Sequence, residues 1–181
     1  MLGMLFAAFL SIAQAGTYAG VTMPDSVTSD GGQALVLNGM GLREKFFFDI
    51  YVGGLYLPAK TTDASTAINQ DVPKRIVMKF VYSKVTKQQM IDTFRENFQK
   101  NPAAASLTSE IAKLEAAMDS DIVSGDQVVL DYVPGKGTTV IVKGTPKVTI
   151  PGAAFMKALW TIYLGPSPAY GPLKDGMLGN K

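Results

Sequence analysis

The stretch Leu37–Leu57, LNGMGLREKFFFDIYVGGLYL, decides the fold expected for this chain. Its second half, Lys45–Leu57, is a run of β-forming residues rich in aromatic side chains and predicts one long strand. A shorter strand is expected at Ala34–Asn38, with Gly39–Gly41 interrupting or bending it. Gly53-Gly54 predicts a bulge or the close approach of another part of the backbone. The stretch therefore belongs to a β-sheet.

Working outward, alternation and turn signals predict further strands, and capping residues with apolar stripes predict helices. The strands are expected at Arg75–Tyr82, Gln127–Val133, Thr138–Val142 and Lys147–Ile150. The helices are expected at Asp63–Gln70, Thr86–Phe98, Ser106–Met118, Ala153–Leu164 and Leu173–Leu178. Antiparallel strands interspersed with helices predict an α+β fold in which helices cover one face of the sheet.

The N-terminal residues 1–15 have the pattern of a secretory signal peptide. An apolar run too short to span a bilayer is followed by Ala13-Gln14-Ala15, an A-x-A cleavage pattern, although no Lys or Arg precedes the run. The alternative is a buried or amphipathic N-terminal helix. We expect export, a loose lead-in over residues 16–33 and one domain over residues 34–181. No later segment is long enough for a membrane span, so none is expected in the mature protein.

Composition limits the chemistry. The 181 residues contain no Cys and no His, which excludes disulfides, thiolate and imidazole metal sites, and triads that need either residue. No cofactor motif is present, and Asp119 and Asp121 lack the spacing of a calcium loop, so we expect neither cofactor nor metal. A net charge of +2 gives no basis for nucleic-acid binding or for a polybasic lipid-binding surface.

Three polar residues stand in apolar company: Arg43, Tyr51 and Asn97. A buried arginine needs an anion or several acceptors, so Arg43 is a candidate ligand-binding residue. Each also has a structural interpretation. Arg43 would pair with Glu44, Asp49 or a backbone carbonyl, Tyr51 would be an ordinary strand aromatic, and Asn97 would be a satisfied core amide. The residues alone leave both interpretations open.

The stretch Leu37–Leu57, together with Ala158–Gly165 (ALWTIYLG) and the residues that follow to Gly179, resembles the chalcone isomerase-like family in its bacterial exported branch. The resemblance covers about residues 30–179. It implies an open-faced β-sandwich, a large antiparallel sheet covered by a layer of helices. The family includes plant chalcone isomerases and plant fatty-acid-binding proteins.

The resemblance also implies roles for four residues. Arg43 matches the arginine that meets the ligand's anionic oxygen, and Asn97 matches an active-site asparagine. Tyr51 stands where plant isomerases carry threonine and the fatty-acid-binding branch carries tyrosine. Met90 stands where plant isomerases carry a tyrosine in the catalytic site, and methionine makes the pocket more apolar.

These matches favour an exported protein that binds an apolar, anionic ligand such as a fatty acid through Arg43, Tyr51, Met90 and Asn97. The alternative is an isomerase, an intramolecular lyase acting on a hydrophobic phenolic or carbonyl substrate. A third class is a structural or partner-binding domain without a small ligand. The sequence identifies neither the ligand nor the oligomeric state.

One geometric conflict qualifies the four-residue site. Arg43 and Tyr51 are eight residues apart, which is about 26 Å along a straight strand. They can meet at one ligand only if the chain turns near Arg43–Lys45.

Overall fold

A computed structural model describes residues 15–180, which form eleven strands and five α-helices. The strands are β1 (Ala15–Tyr18), β2 (Val21–Pro24), β3 (Ser26–Thr28), β4 (Ala34–Lys45), β5 (Phe48–Leu57), β6 (Lys74–Phe80), β7 (Lys84–Val85), β8 (Ile122–Val123), β9 (Gln127–Val133), β10 (Gly137–Val142) and β11 (Thr145–Ile150). The helices are α1 (Ala64–Asn69), α2 (Lys87–Gln99), α3 (Thr108–Ala117), α4 (Ala153–Leu164) and α5 (Gly171–Leu178). A short 3₁₀ helix, Pro102–Ala104, links α2 to α3.

Seven strands form one antiparallel sheet in the order β11-β10-β9-β6-β5-β4-β3. Two two-stranded pairs, β1 with β2 and β7 with β8, lie outside it. The α+β fold with a large antiparallel sheet and a layer of helices is therefore confirmed. Among residues 15–180, no helix combines the length and apolar character needed to cross a membrane.

The aromatic run differs from its prediction as a single strand. It contains a two-residue turn at Phe46-Phe47, so that β4 and β5 form a hairpin. The Gly39–Gly41 segment does not end the preceding strand, because β4 runs for 12 residues from Ala34 to Lys45. Irregular register occurs at two points of the hairpin, between Leu37 and Gly39 and between Arg43 and Glu44.

One face of the sheet packs against the helices and forms the larger hydrophobic core. Strand residues such as Leu55 and Ile76 meet α4, whose Trp160 is fully buried at the centre. Helix α2 is fixed at its start by a capping box. The Thr86 hydroxyl accepts from the Gln89 backbone, and the Gln89 side chain accepts from the Thr86 backbone.

The opposite face carries a second, smaller core, and this corrects the expectation of a loose lead-in over residues 16–33. Strands β1 and β2 form a hairpin, and β3 joins the main sheet. Met23 of β2 is fully buried in a cluster with Val52 and Tyr56. Residues 1–14, which make up nearly all of the predicted signal peptide, lie outside the described residues.

Helix α5 packs directly on the backbone of β4. A Cβ atom placed on Gly41 would lie 2.5 Å from the Leu173 carbonyl oxygen, and one on Gly39 would overlap the Gly176 carbonyl. Gly53, the partner of Gly41 across the hairpin, lies against Met177 and Leu173. Glycine is required here because any side chain would separate the helix from the strand.

Candidate functional site

The hairpin turn brings Arg43 and Tyr51 together. They are direct register partners across β4 and β5, so their side chains project from the same face of the sheet. Partners of this kind have Cβ atoms about 5 Å apart, compared with the 26 Å expected along a straight strand. The turn that allows this lies at Phe46-Phe47, just beyond the Arg43–Lys45 segment where the sequence required it.

This turn has an unusual composition. Phe46 and Phe47 have φ values of 50° and 68°, and positive φ at both central residues is the requirement of a type I′ hairpin turn. Two other hairpins show the same φ pattern, at Ala19-Gly20 and Lys143-Gly144, and both carry glycine second. Holding a bulky residue in this region costs about 1–2 kcal/mol. At its second position the β4–β5 turn therefore carries Phe47, where glycine would be less strained.

Beside this hairpin lies an open cleft of about 280 Å³. Its walls come from the hairpin, from the end of β6, from β7 and from the first turns of α2. Its lining residues are Arg43, Lys45, Phe46, Phe48, Ile50, Tyr51, Phe80, Tyr82, Lys84, Val85, Gln89, Met90 and Thr93. The cleft thus combines apolar and aromatic walls with a small number of polar groups, which is the usual composition of a small-molecule site.

Arg43 is held in place without a carboxylate partner. One guanidinium nitrogen, Nη1, donates to the Glu44 backbone oxygen at 2.9 Å, and the guanidinium carbon lies 5.1 Å from the centre of the Tyr170 ring. The Tyr170 hydroxyl in turn donates to the Glu44 carboxylate at 2.8 Å. Among residues 15–180, no acidic side chain forms an ion pair with Arg43. Of its structural interpretations, only the bond to a backbone carbonyl is present.

Tyr51 contributes a buried hydroxyl beside Arg43. Burial raises the pKa of Tyr51 well above its usual value, and the nearby Arg43 charge offsets part of that rise. The phenol is therefore a neutral hydrogen-bond donor at any physiological pH. Its ring packs on Phe80, with centroids 5.2 Å apart. Deeper in the core, Tyr163 donates to the Met78 sulfur, and burial also raises the Tyr163 pKa.

The two predicted residues on α2 are separated by the structure. Met90 is almost fully buried and lines the cleft. Asn97 lies about 10 Å further along the helix axis, because seven residues rise by 1.5 Å each. Its amide donates to the Thr93 carbonyl at 2.7 Å, and it borders a separate small pocket with Asn101 and Thr161. The cleft therefore brings together Arg43, Tyr51 and Met90, but not Asn97.

The charges in the cleft wall have one sign. Arg43, Lys45 and Lys84 line it, and none of its lining residues is acidic. Lys84 is bound at 2.8 Å to Asp121, in an exposed pair that contributes little energy. Asp119 pairs with Lys147, and residues 15–180 contain no cluster of acidic side chains that would hold a metal ion.

Sequence reasoning missed the residues that position Arg43. Tyr170 lies 126 residues from Glu44 in the chain, yet it contacts both Glu44 and the Arg43 guanidinium. No local pattern marks Tyr170, since it follows the end of α4 in an irregular segment. The sequence places Phe46 and Phe48 in a strand beside Arg43, whereas the structure places them at the rim of the cleft.

The antiparallel sheet and its layer of helices, with the cleft beside the β4–β5 turn, define an α+β architecture. The family model described as chalcone isomerase-like matches residues 15–179, and the chain belongs to that family.

Among solved structures, a fatty-acid binding protein of Arabidopsis thaliana has a similar fold, with a TM-score of 0.72 and 15% sequence identity. The similarity covers 92% of this chain and 97% of the Arabidopsis chain. No curated protein sequence matches the chain.

Proposed function

We propose that the protein binds an apolar, anionic ligand such as a fatty acid, with the carboxylate at Arg43 and the alkyl chain along the apolar walls. The single observation that carries this proposal is the composition of the cleft: three cations, no acidic residue and mostly apolar or aromatic walls. A carboxylate would provide the anion that a half-buried guanidinium lacks within the fold.

The geometry around Arg43 favours a carboxylate in particular. Guanidinium has five N–H donors, and only one hydrogen bond from it is formed within residues 15–180. The ring of Tyr170 and the Glu44 carbonyl restrict its movement, so little side-chain entropy is lost on binding. The neutral Tyr51 hydroxyl lies beside it as a second donor. Charge-assisted hydrogen bonds of this kind contribute roughly 1.5–3 kcal/mol each.

The similar Arabidopsis protein is a fatty-acid binding protein, which is consistent with this ligand class. The cleft volume of about 280 Å³ is just below the roughly 300–1,000 Å³ typical of small-molecule sites. We therefore expect the carboxylate and part of an alkyl chain to fill the cleft, with the rest of a long chain at its open mouth beside Phe46 and Phe48.

The competing function is chalcone isomerisation, which needs hydrogen bonding to developing enolate charge. Met90 lies in the cleft wall where the family resemblance gives the plant enzymes a tyrosine, and its thioether cannot donate such a bond. We expect chalcone absorbance to fall at the same spontaneous rate with and without the purified protein. Rapid turnover that is abolished by Arg43→Ala would support the isomerase instead.

Export from the cytoplasm, with a bacterial periplasmic destination, is part of the same proposal. It rests on the apolar segment and the Ala13-Gln14-Ala15 pattern. N-terminal sequencing of the secreted protein should begin at Gly16. Protein that keeps Met1 and stays in the cytosol would contradict export without affecting the ligand proposal.

Native mass spectrometry of freshly purified protein tests the ligand proposal directly. We expect a population whose added mass matches a carboxylic acid and disappears after organic extraction. Titration of the extracted protein with dodecanoate should then be saturable with one site. Protein that carries no added mass and shows no saturable binding of dodecanoate would overturn the proposal.

A further inference from the structure

The tip of the β4–β5 hairpin has the largest exposed apolar group among the described residues. Phe46, Phe47 and Phe48 are 77%, 102% and 55% exposed, and they are consecutive. Phe47 makes up the point of the turn, while Phe46 and Phe48 also form part of the cleft rim. Exposed aromatic clusters of this kind mark interaction sites on soluble domains.

The backbone conformation of Phe47 also indicates a functional role for the exposed tip. Phe47 occupies the left-handed turn position that glycine fills at Gly20 and Gly144 in two comparable hairpins. Asn-Gly or Asp-Gly is the preferred choice for such turns. A bulky residue held in a strained backbone conformation is a reason to look for function at that position.

The size and shape of the tip distinguish between partners. Each phenylalanine can bury roughly 150–250 Å², so three provide less than the roughly 800 Å² per partner of a stable protein interface. The tip is also convex, because it projects from a two-residue turn. A lipid interface accepts a projecting aromatic side chain without a complementary pocket, and phenylalanine is one of the residues that interfacial segments bury at the boundary of headgroups and acyl chains.

We propose that Phe46–Phe48 insert into the interface of a lipid bilayer and that the hairpin tip is the membrane-docking site of this protein. Lys45 and Lys84, on the same rim, face the lipid headgroups, which favours anionic lipid. Glu44 and Asp49 on the same hairpin, together with the Asp121 that pairs with Lys84, offset much of this charge, so the aromatic tip supplies most of the affinity. The proposed docking therefore depends on the local composition of the tip and not on the net charge of the chain.

Docking in this orientation places the mouth of the cleft against the bilayer. An amphiphile could then pass between membrane and cleft without crossing water. This last step rests on the proposed function, whereas the docking itself does not, because Phe47 is outside the cleft lining.

Flotation of the full chain with phosphatidylcholine vesicles containing a minority of phosphatidylglycerol tests the docking. Phe47→Ser should lower the vesicle partition coefficient about tenfold, since an inserted phenylalanine buries its whole apolar surface. Tyr18→Ser, at an exposed aromatic residue of the β1–β2 hairpin, is the matched control and should bind like the unaltered chain. All variants share one N-terminus, so any contribution of residues 1–15 cancels in the comparison.

A second variant tests whether the tip lies within the bilayer. Phe47→Trp should still bind, and brominated lipids should quench its emission, whereas the buried Trp160 of the unaltered chain should not be quenched. Equal partition of Phe47→Ser and the unaltered chain, or binding of Phe47→Trp without quenching, would overturn the proposal. So would self-association that depends on Phe47 in a chain that does not bind vesicles, because it would identify a second copy as the occupant.

Separate variants test ligand binding in the cleft and membrane docking by the tip, so that either proposal can fail without the other. Phe47→Ser should bind dodecanoate in solution with unchanged affinity, because Phe47 does not line the cleft. Arg43→Gln should lose dodecanoate affinity and still bind vesicles. Loss of vesicle binding in Arg43→Gln, with unchanged binding in Phe47→Ser, would contradict insertion of the aromatic tip and would instead indicate adsorption by the cationic rim.

Discussion

The two ends of the β4–β5 hairpin serve opposite purposes although they belong to the same pair of strands. At one end, Gly39, Gly41 and Gly53 allow α5 to lie on the bare backbone, and no space is left. At the other end, Arg43, Tyr51 and the phenylalanines project into or around an open cleft. The two ends differ in side-chain size. The glycines let α5 pack against the strands at one end, whereas large side chains surround an open cleft at the other.

The comparison suggests how a stable scaffold can support a binding site. The packed end fixes the register of the hairpin, and that register sets Arg43 opposite Tyr51 at the open end. The open end carries strain and exposed apolar surface, while α5 packs closely on the strands at the packed end.

The largest effect should come from filling the packed end. In Gly41→Val, a side chain would have to occupy the position of the Leu173 backbone, with the first added carbon 2.5 Å from its carbonyl oxygen. We expect a loss of about 3 kcal/mol or more in the free energy of unfolding, measured by urea denaturation. Gly171→Ala is the control, because no atom lies within 4 Å of the added carbon, and it should be neutral or mildly stabilising. Equal stability of the two variants would contradict the close packing.

Lys74, at the start of β6, is a buried cation that lies outside the cleft. Lys74 is fully buried and donates to the Ala67 and Ile68 carbonyls at the end of α1. Burial lowers its pKa to about 8, partly opposed by the Asp71 charge. Below pH 8 the cost of the buried charge is fully present. It is relieved between pH 8 and 10.5, because there the unfolded chain binds the proton more tightly than the folded one.

Lys74→Met measures that cost. Unfolding free energies should be measured for the unaltered chain and for Lys74→Met across this pH range. The slopes should differ, with the unaltered chain gaining about 3 kcal/mol relative to the variant. Other titrating groups cancel in the comparison. Parallel pH profiles would show that Lys74 is charged in the folded protein throughout the range.

The smallest effect on stability is expected at the open end, and it should have the opposite sign to that of Gly41→Val. Replacing Phe46-Phe47 by Asn-Gly supplies the residues that a turn with two positive φ values prefers. We expect a gain of about 1 kcal/mol in unfolding free energy, seen as a higher urea midpoint with an unchanged m value. A clear destabilisation would mean that the two rings support the fold.

Sequence periodicity predicted the regular parts of the fold well. Strand β9 and helix α4 have the predicted bounds, and the Thr86–Gln89 capping box is present. The turn at Phe46-Phe47 was missed because neither residue has turn chemistry. The strands β1, β2 and β3 were missed because they are four, four and three residues long, too short for alternation to be recognised.

The site was harder to predict because it depends on distant contacts. Three of the four candidate residues, Arg43, Tyr51 and Met90, lie in one cleft. Asn97 shares a helix face with Met90, but helical periodicity does not reveal that the cleft ends before it. The contact of Tyr170 with Arg43 depends on the packing of the segment after α4 against the hairpin, which no local pattern encodes.

The central claim is that Arg43 anchors an anionic ligand, and titration of Arg43→Gln with dodecanoate tests it most directly. Circular dichroism first establishes that the variant is folded, and Arg95→Gln, which removes an exposed arginine paired with Glu115, is the matched control. We predict that Arg43→Gln binds about ten- to a hundredfold more weakly than the unaltered chain and that Arg95→Gln binds equally well. Equal affinity of folded Arg43→Gln and the unaltered chain would show that Arg43 is a structural residue and would contradict the account.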